Sequence, residues 1–154
     1  MQLEIRSVAA DSPDAEALIA AMVAEVDELY GGDMSGPGTP SATSADFAPP
    51  GGAFVVIYAD GRPVAGGGVK QLAPALGEIK RMYVVPEARG RGLGRRLLVA
   101  LEDAARARGH RIVRLDTGPG QPGARALYES AGYRAVPDYN GNPYAAYWGE
   151  KALG

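Results

Sequence analysis

Strand-like and helical patterns alternate along this chain, and their order limits the possible folds more than any other feature. Residues Leu3 to Val8 alternate as a short strand does. The stretch "DSPD" follows, with Asp11 or Ser12 as N-cap and Pro13 at the first helical position. Apolar residues then recur at helical spacing as far as Tyr30. We therefore predict a first strand followed by a first helix.

The later segments continue the alternation. "AFVVIYA", "DGRP" and "VAGGGVKQL" predict a strand, a turn and a strand, and Glu78 to Val84 predicts another strand. Leu93 begins an apolar helix face that stops at Gly109. "RIVRLDT" predicts a strand, "QPGARALYESAG" a short helix, and "YRAV" and "YAAYWGEKAL" the final strands. The order β-α-β-β-β-α-β-α-β indicates one α/β domain over residues 1–154 with a mixed sheet.

Two glycine-rich segments modify this outline. Gly66, Gly67 and Gly68 lie inside a predicted strand and indicate a bulge or a close approach of backbone. Residues 31–52 are dense in Gly, Pro, Ser and Thr, which predicts a long loop with a short helical turn near Asp46. Loops of this length in compact domains are usually functional or mobile.

Composition excludes several classes of protein. The 154 residues contain no cysteine, so disulfides, thiolate metal sites and cysteine acyl-enzymes are excluded. The start "MQLEIRSVAA" lacks the apolar region of a signal peptide, and the run "AFVVIYA" is too short to span a bilayer. We expect a cytoplasmic protein without membrane contact.

Charge is distributed unevenly along the chain. Lys80 to Arg114 contains ten cationic and three acidic side chains, whereas the remainder carries six cationic and fifteen acidic ones. A nucleic-acid binder is usually basic overall, but this chain has a net charge of -2. One basic segment in an acidic body favours a small polyanion as ligand.

The basic segment centres on "RGRGLGRRL", residues 89–97, at the start of the second predicted helix. A helix N-terminus disfavours cations by about 0.3–1 kcal/mol each, and an anion bound there reverses that sign. The interspersed glycines let backbone N–H groups approach a phosphate. A solvated basic loop explains the stretch alone equally well. The spacing matches neither a P-loop nor a dinucleotide fingerprint, and no aromatic residues are interleaved as in single-strand binders.

Two longer stretches carry a family resemblance. "EIKRMYVVPEARGRGLGRRLL" resembles motif A of the GCN5-related N-acetyltransferases (GNAT), with the signature Q/R-x-x-G-x-G/A at Arg89, Gly92 and Gly94. "ARALYESAGYRAV" resembles motif B of the same family. The resemblance covers Glu78 to Val136 closely, and the element order extends it over the whole chain. It implies the GNAT fold, a mixed central sheet with splayed strands flanked by helices.

The resemblance also implies acetyl-CoA as co-substrate, with an amine acceptor and no metal. Backbone amides would hold its pyrophosphate, and one strand would splay from its neighbour and pair with the pantetheine arm. Gln121 stands where many relatives have an asparagine before the motif B helix, and is expected to contact the coenzyme in its place. The residues implied for coenzyme binding are Met82, Tyr83, Val84, Arg89, Gly90, Arg91, Gly92, Leu93, Gly94, Arg95, Gln121 and Tyr128.

Transfer of an acetyl group to an amine needs proton removal from the amine, stabilisation of the oxyanion and protonation of the thiolate. The resemblance implies Glu78 as base, Tyr128 as acid and the Val84 N–H as oxyanion donor, by direct attack in a ternary complex. Glu78 alternatively pairs with Lys80 or Arg81. Tyr128 alternatively serves only as a core aromatic. An ordinary glutamate pKa of about 4.3 requires either burial or a water relay for such a base.

The acceptor remains open between polyamines, aminoglycosides, peptide amino termini, free amino acids and other small amines. A sensor that binds acetyl-CoA without turnover is the rival class, and a homodimer is left open. We expect residues 31–50 to be mobile without ligand and to shape the acceptor pocket. His110 is expected at the surface. Four aromatic residues are expected to pack rather than line a pocket: Tyr139, Tyr144, Tyr147 and Trp148.

Overall fold

A computed structural model describes residues 2–31, 42–119 and 122–154. These residues form seven strands, three α-helices and two short 3-10 helices, the latter at Ser44–Phe47 and Pro86–Ala88. The strands are β1 (Leu3–Val8), β2 (Ala53–Ala59), β3 (Arg62–Ala73), β4 (Leu76–Val84), β5 (Ile112–Thr117), β6 (Arg134–Ala135) and β7 (Tyr147–Ala152). The α-helices are α1 (Pro13–Tyr30), α2 (Leu93–Ala107) and α3 (Pro122–Ser130).

The strands form one mixed sheet in the order β1-β2-β3-β4-β5-β7-β6. Every neighbouring pair is antiparallel except β4 and β5. That parallel pairing consists of Leu76 with Ile112, Gly77 with Val113 and Glu78 with Arg114. Beyond Glu78 the two strands no longer pair, so they splay apart toward Val84. The predicted α/β fold with splayed central strands is confirmed.

Helices cover both faces of the sheet. β2 is buried along its whole length, and its side chains alternate between two apolar clusters. Val55 and Ile57 pack with the apolar face of α2, whereas Phe54 and Val56 pack with α1 and Phe47. A strand covered on both faces has a continuous apolar sequence, which explains the run "AFVVIYA".

The predicted helix starts are confirmed. Ser12 caps α1, since its Oγ accepts a hydrogen bond from the Ala15 N–H at 3.4 Å. The helical turn expected near Asp46 is the 3-10 helix Ser44–Phe47. The rest of the predicted loop includes residues 32–41, which lie outside the described residues. The expectation about that segment stays a prediction.

The three consecutive glycines of β3 lie where neighbouring elements approach the sheet most closely. A Cβ on Gly66 would meet Leu18 of α1, and one on Gly67 would meet Leu101 of α2. A Cβ on Gly68 would overlap the ring of Phe47. The pairing with β4 also shifts register between Gly66 and Gly68. The predicted bulge is confirmed, and the neighbouring groups that approach the glycines most closely are side chains of α1, α2 and the first 3-10 helix.

His110 corrects one expectation. Predicted at the surface, it is 3% exposed, and its Nε2 lies 2.8 Å from the carbonyl oxygen of Gly51. Gly109, with φ of +88°, turns the chain sharply after α2 and directs the imidazole inward against Gly77. Within the described ranges, no helix is long and apolar enough to cross a bilayer.

Candidate active site

A groove of about 960 Å³ opens where β4 and β5 splay, between α1, the start of α2 and α3. Its lining includes nine of the twelve residues predicted for coenzyme binding: Met82, Tyr83, Val84, Arg89, Gly90, Gly92, Leu93, Gly94 and Tyr128. Arg91 and Arg95 are described but do not line it. Gln121 lies outside the described residues, so its role stays a prediction.

The start of α2 presents free backbone donors to this groove. Gly92 is the N-cap residue in the left-handed region, with φ of +78°, and no described side chain caps the helix. The first helical hydrogen bond runs from the Arg96 N–H to the Gly92 carbonyl. The N–H groups of the first turn therefore have no acceptor within the helix, which is the arrangement that binds phosphates.

Arg89 connects β4 to α1 at the groove. Its Nε donates to the Val84 carbonyl at 2.9 Å, and its Nη2 donates to both carboxylate oxygens of Glu25 on α1, at 2.7 and 2.9 Å. The guanidinium also lies 5.5 Å from the centre of the Tyr83 ring. Its charge is shared with Glu25, and the predicted coenzyme contact of Arg89 stays a prediction.

The backbone N–H and carbonyl of Val84 point toward the gap between β4 and β5. The backbone N–H of the next residue, Val85, donates to the carbonyl oxygen of Val64 on β3 at 2.9 Å. Since N–H directions alternate along an extended chain, the Val84 N–H and carbonyl point away from β3. The Val84 carbonyl indeed accepts from Arg89. A backbone donor therefore faces the groove at this position.

Tyr128, on α3, is both a core residue and a groove residue. It is 6% exposed, its ring centre lies 5.9 Å from that of Tyr133, and its hydroxyl donates weakly to Met82 Sδ at 3.8 Å. Burial raises the pKa of the Tyr128 phenol above its ordinary value, and the charge of Asp116 raises it further. The phenol therefore keeps its proton at neutral pH and is a weaker acid than an ordinary tyrosine.

Glu78 is the last residue of β4 that pairs with β5, and it is 2% exposed. Lys80 Nζ lies 3.5 Å from its Oε1, so one of the two predicted ion-pair partners is present. Arg81, the other predicted partner, donates instead to the Ala42 carbonyl at 2.6 Å. Glu78 does not line the groove, so proton transfer to it requires a relay or a local movement.

The Glu78 surroundings include residues that sequence reasoning missed. The Tyr139 hydroxyl donates to Glu78 Oε2 at 2.6 Å, and the Asn140 side-chain amide donates to the same oxygen at 3.2 Å. Burial raises the pKa of Tyr139, and the Glu78 charge and hydrogen bond raise it further. Tyr139 does not line the groove, but its hydroxyl binds the candidate base, a role that the sequence did not indicate.

Asn140 extends this network. Its amide nitrogen also donates to Asp116 Oδ2, and its Oδ1 accepts from the indole N–H of Trp148 at 3.0 Å. Trp148, expected only to pack, therefore takes part in the site. The sequence "DYNGN" carried these residues, but its asparagines and glycine indicate a turn and nothing more.

Two other aromatic residues pack as predicted. Tyr147 belongs to the buried cluster of α2 and α3, and the ring centre of Tyr144 lies 6.1 Å from that of Tyr30. Among the described residues, no group of three or more histidine or acidic side chains is arranged to hold a metal.

A sheet splayed beside an uncapped, glycine-rich helix start, with a buried tyrosine at the gap, defines the class of acyl-CoA-dependent N-acyltransferases. The model of the acetyltransferase (GNAT) family matches residues 23–133, and this chain belongs to that family. It is therefore an N-acetyltransferase, of a family that uses acetyl-CoA and an acceptor.

Individual relatives of this chain are also named as acetyltransferases. The chain is 34% identical over 128 residues to the IAA acetyltransferase of Azospirillum brasilense, covering 82% of this chain and 83% of that protein. It is 34% identical over 112 residues to the N-alpha-acetyltransferase RimI of Mycobacterium tuberculosis, covering 71% and 68%.

Solved structures share the fold. A Klebsiella pneumoniae protein classed as an acyl-CoA N-acyltransferase aligns with a TM-score of 0.79 at 32% identity, covering 99% of both chains. The PaiA N-acetyltransferase of Thermoplasma acidophilum, solved with coenzyme A, aligns with a TM-score of 0.72 over 99% of both chains. Its 19% identity to this chain supports the fold alone.

Proposed function

We propose that this protein transfers the acetyl group of acetyl-CoA to a primary amine of a small molecule, by direct attack in a ternary complex. The observation that carries the proposal is the position of Glu78 at the root of the splay, in a network that also contains Asp116. Asp116 shares the Asn140 amide with Glu78 and acts electrostatically on Tyr128, so the network around the candidate base extends to the surroundings of the candidate acid.

The helix start fits the phosphates of the coenzyme. A Cβ at Gly90 or Gly92 would meet no atom of the described residues within 4 Å, so these residues leave space around the loop. The first-turn N–H groups of α2 would bind the pyrophosphate, and the strand edge from Met82 to Val84 would bind the pantetheine arm. When bound, acetyl-CoA supplies the thioester carbonyl that the amine attacks.

The roles at the reacting atoms follow from this placement. The Val84 N–H, which faces away from β3, stabilises the developing oxyanion. The Tyr128 hydroxyl keeps its proton until the thiolate departs and then donates it. Glu78 receives the amine proton through water, because its carboxylate is buried behind Tyr139 and Asn140.

The acceptor class follows from charge. Glu78 and Asp116 contribute two carboxylates at the root of the gap, and the Lys80 ammonium lies 3.5 Å from Glu78. The remaining negative charge favours an amine that arrives as a cation. A peptide amino terminus is a second candidate, since one relative is named as an N-alpha-acetyltransferase.

An acceptor panel that follows release of coenzyme A tests the proposal. The panel contains free amino acids, polyamines, aminoglycosides and short peptides with free amino termini. We expect a small amine to support turnover, and Glu78→Gln to lower it most at neutral pH, where acceptor amines arrive protonated. Glu4→Gln, at an exposed glutamate of β1, is the matched control and should keep full activity. Stabilisation by acetyl-CoA without turnover on any amine would instead identify a sensor.

A further inference from the structure

The side-chain amide of Asn140 has one possible orientation. Its Oδ1 lies 3.0 Å from the indole Nε1 of Trp148 and 3.1 Å from the backbone nitrogen of Asn142. Both of these groups are donors only, so the amide oxygen must face them. The amide NH₂ therefore points in the opposite direction.

In that direction lie two carboxylates. The NH₂ group donates to Glu78 Oε2 at 3.2 Å and to Asp116 Oδ2. Asp116 receives a further, longer contact from the Asn142 amide at 3.4 Å. Asn140 thus uses all its polar atoms inside the site, and both of its N–H donors serve the carboxylate pair.

We propose that Asn140 is a positioning residue for acetyl transfer, whose amide, fixed by Trp148, holds Glu78 and Asp116 in one arrangement. The inference rests on the proposed function, in which Glu78 accepts the amine proton. It adds that Glu78 is oriented by a residue of the β6–β7 connection rather than by its own strand alone.

Removal of the amide would leave two carboxylates facing each other without a donor between them. Like charges repel, and among the described residues Glu78 would retain only Tyr139 and the Lys80 ammonium as partners. Asp116 would keep only the longer contact from Asn142 among its described donors, and its charge acts on Tyr128. The Asn140 amide therefore acts directly on Glu78 and, through Asp116, on Tyr128.

The first arm of the test is spectroscopic and needs no acceptor. Trp148 is the single tryptophan of the chain, so its indole N–H gives one assignable signal in a ¹H–¹⁵N spectrum. Asn140→Ala should move that signal and speed its exchange with solvent by about tenfold or more, since the exchange rate reports opening of this hydrogen bond. An unchanged indole signal would overturn the inference.

The second arm is kinetic. Asn140→Asp keeps the shape of the side chain but replaces the donor by an oxygen. We expect kcat to fall by about tenfold or more, because small misplacements of a reacting group are costly. The KM for acetyl-CoA and the Tm increase caused by coenzyme A should stay within about twofold of wild type, since Asn140 does not line the groove. Trp148→Phe should lower kcat in the same direction.

Asn142→Ala is the matched control, because Asn142 contacts Asp116 but has no hydrogen bond to Glu78 among the described residues. We expect it to lose less activity than Asn140→Asp. An equal loss, or wild-type kcat in Asn140→Asp, would assign the loop a general structural role and overturn the inference. Absence of turnover in the wild type would contradict the proposed function instead.

Discussion

The phenol oxygen of Tyr139 lies 2.6 Å from Oε2 of Glu78 and donates a hydrogen bond to it. The two residues are 61 positions apart in the chain and meet because the β6–β7 connection crosses the root of the splay. Burial raises the pKa of Tyr139 above its ordinary value, and Glu78 raises it further. The phenol therefore remains the donor and Glu78 the acceptor at neutral pH.

This bond predicts a pH-dependent contribution to stability. A pKa that is raised in the folded state stabilises the protein below about pH 10, the ordinary tyrosine value, and the contribution is lost as pH rises further. Tyr139→Phe should lower the free energy of unfolding at pH 8 by about 1–3 kcal/mol, because Glu78 loses a buried donor. The difference should narrow between about pH 10 and 11. Urea unfolding at these pH values measures it, and a difference independent of pH would contradict the expectation.

The glycine at the start of α2 predicts loss of coenzyme binding on substitution. Gly92→Asp places a negative charge at the proposed phosphate site, so acetyl-CoA should no longer raise the Tm. Gly109→Asp is the matched control, because Gly109 also has a positive φ and no atom of the described part of the chain within 4 Å of its Cβ position, but lies at the other end of α2. It should keep the coenzyme response.

A retained response in Gly92→Asp would refute the phosphate role of the loop. Duplex DNA at physiological salt provides a second comparison. We expect duplex DNA to cause no comparable increase in the Tm of the wild type. A nucleic-acid patch would instead bind the duplex through its charge and raise the Tm.

Tyr128 and Tyr133 give a matched pair of Tyr→Phe variants. Tyr128→Phe should leave coenzyme affinity nearly unchanged and reduce kcat by about 10²-fold or more, as loss of a general acid does. Tyr133 lies beside it, but its hydroxyl donates to Glu102 at 2.9 Å, away from the gap. Tyr133→Phe should therefore lower stability and keep kcat. Wild-type turnover in Tyr128→Phe would mean that water protonates the thiolate.

The contact between Gly68 of β3 and Phe47 of the first 3-10 helix predicts that substitutions at these two positions have non-additive effects on stability. Gly68→Ala should destabilise the protein by about 1–3 kcal/mol, because the new methyl group overlaps the Phe47 ring. Phe47→Leu in the same chain should recover part of that loss, which a double-mutant cycle measures. Gly123→Ala, at a helical position with open space, is the control and should not destabilise. Additive effects would contradict the contact.

Local sequence predicted the elements because their determinants are local. The strand and helix periods, the Ser12 cap and the glycine-rich start of α2 each act over a few residues. The residues of the groove and the splay of β4 were implied only by the resemblance of motifs A and B to the GNAT family.

The features that the sequence did not predict all depend on contacts between residues that are far apart in the chain. Tyr139 and Asn140 reach Glu78 across 61 and 62 positions, and Arg89 reaches Glu25 across 64. His110 follows a helix end, which locally favours exposure, but its burial depends on Gly51 and Gly77. No periodicity or turn pattern encodes such pairings.

The short parallel pairing of β4 with β5 joins two halves of the sheet. Four strands lie on one side of these three residue pairs and three strands on the other. The separation between β4 and β5 therefore grows along β4 from Glu78 toward Val84. The proposed base lies at the narrow end of the gap, paired with Arg114, and the proposed oxyanion donor lies at its wide end.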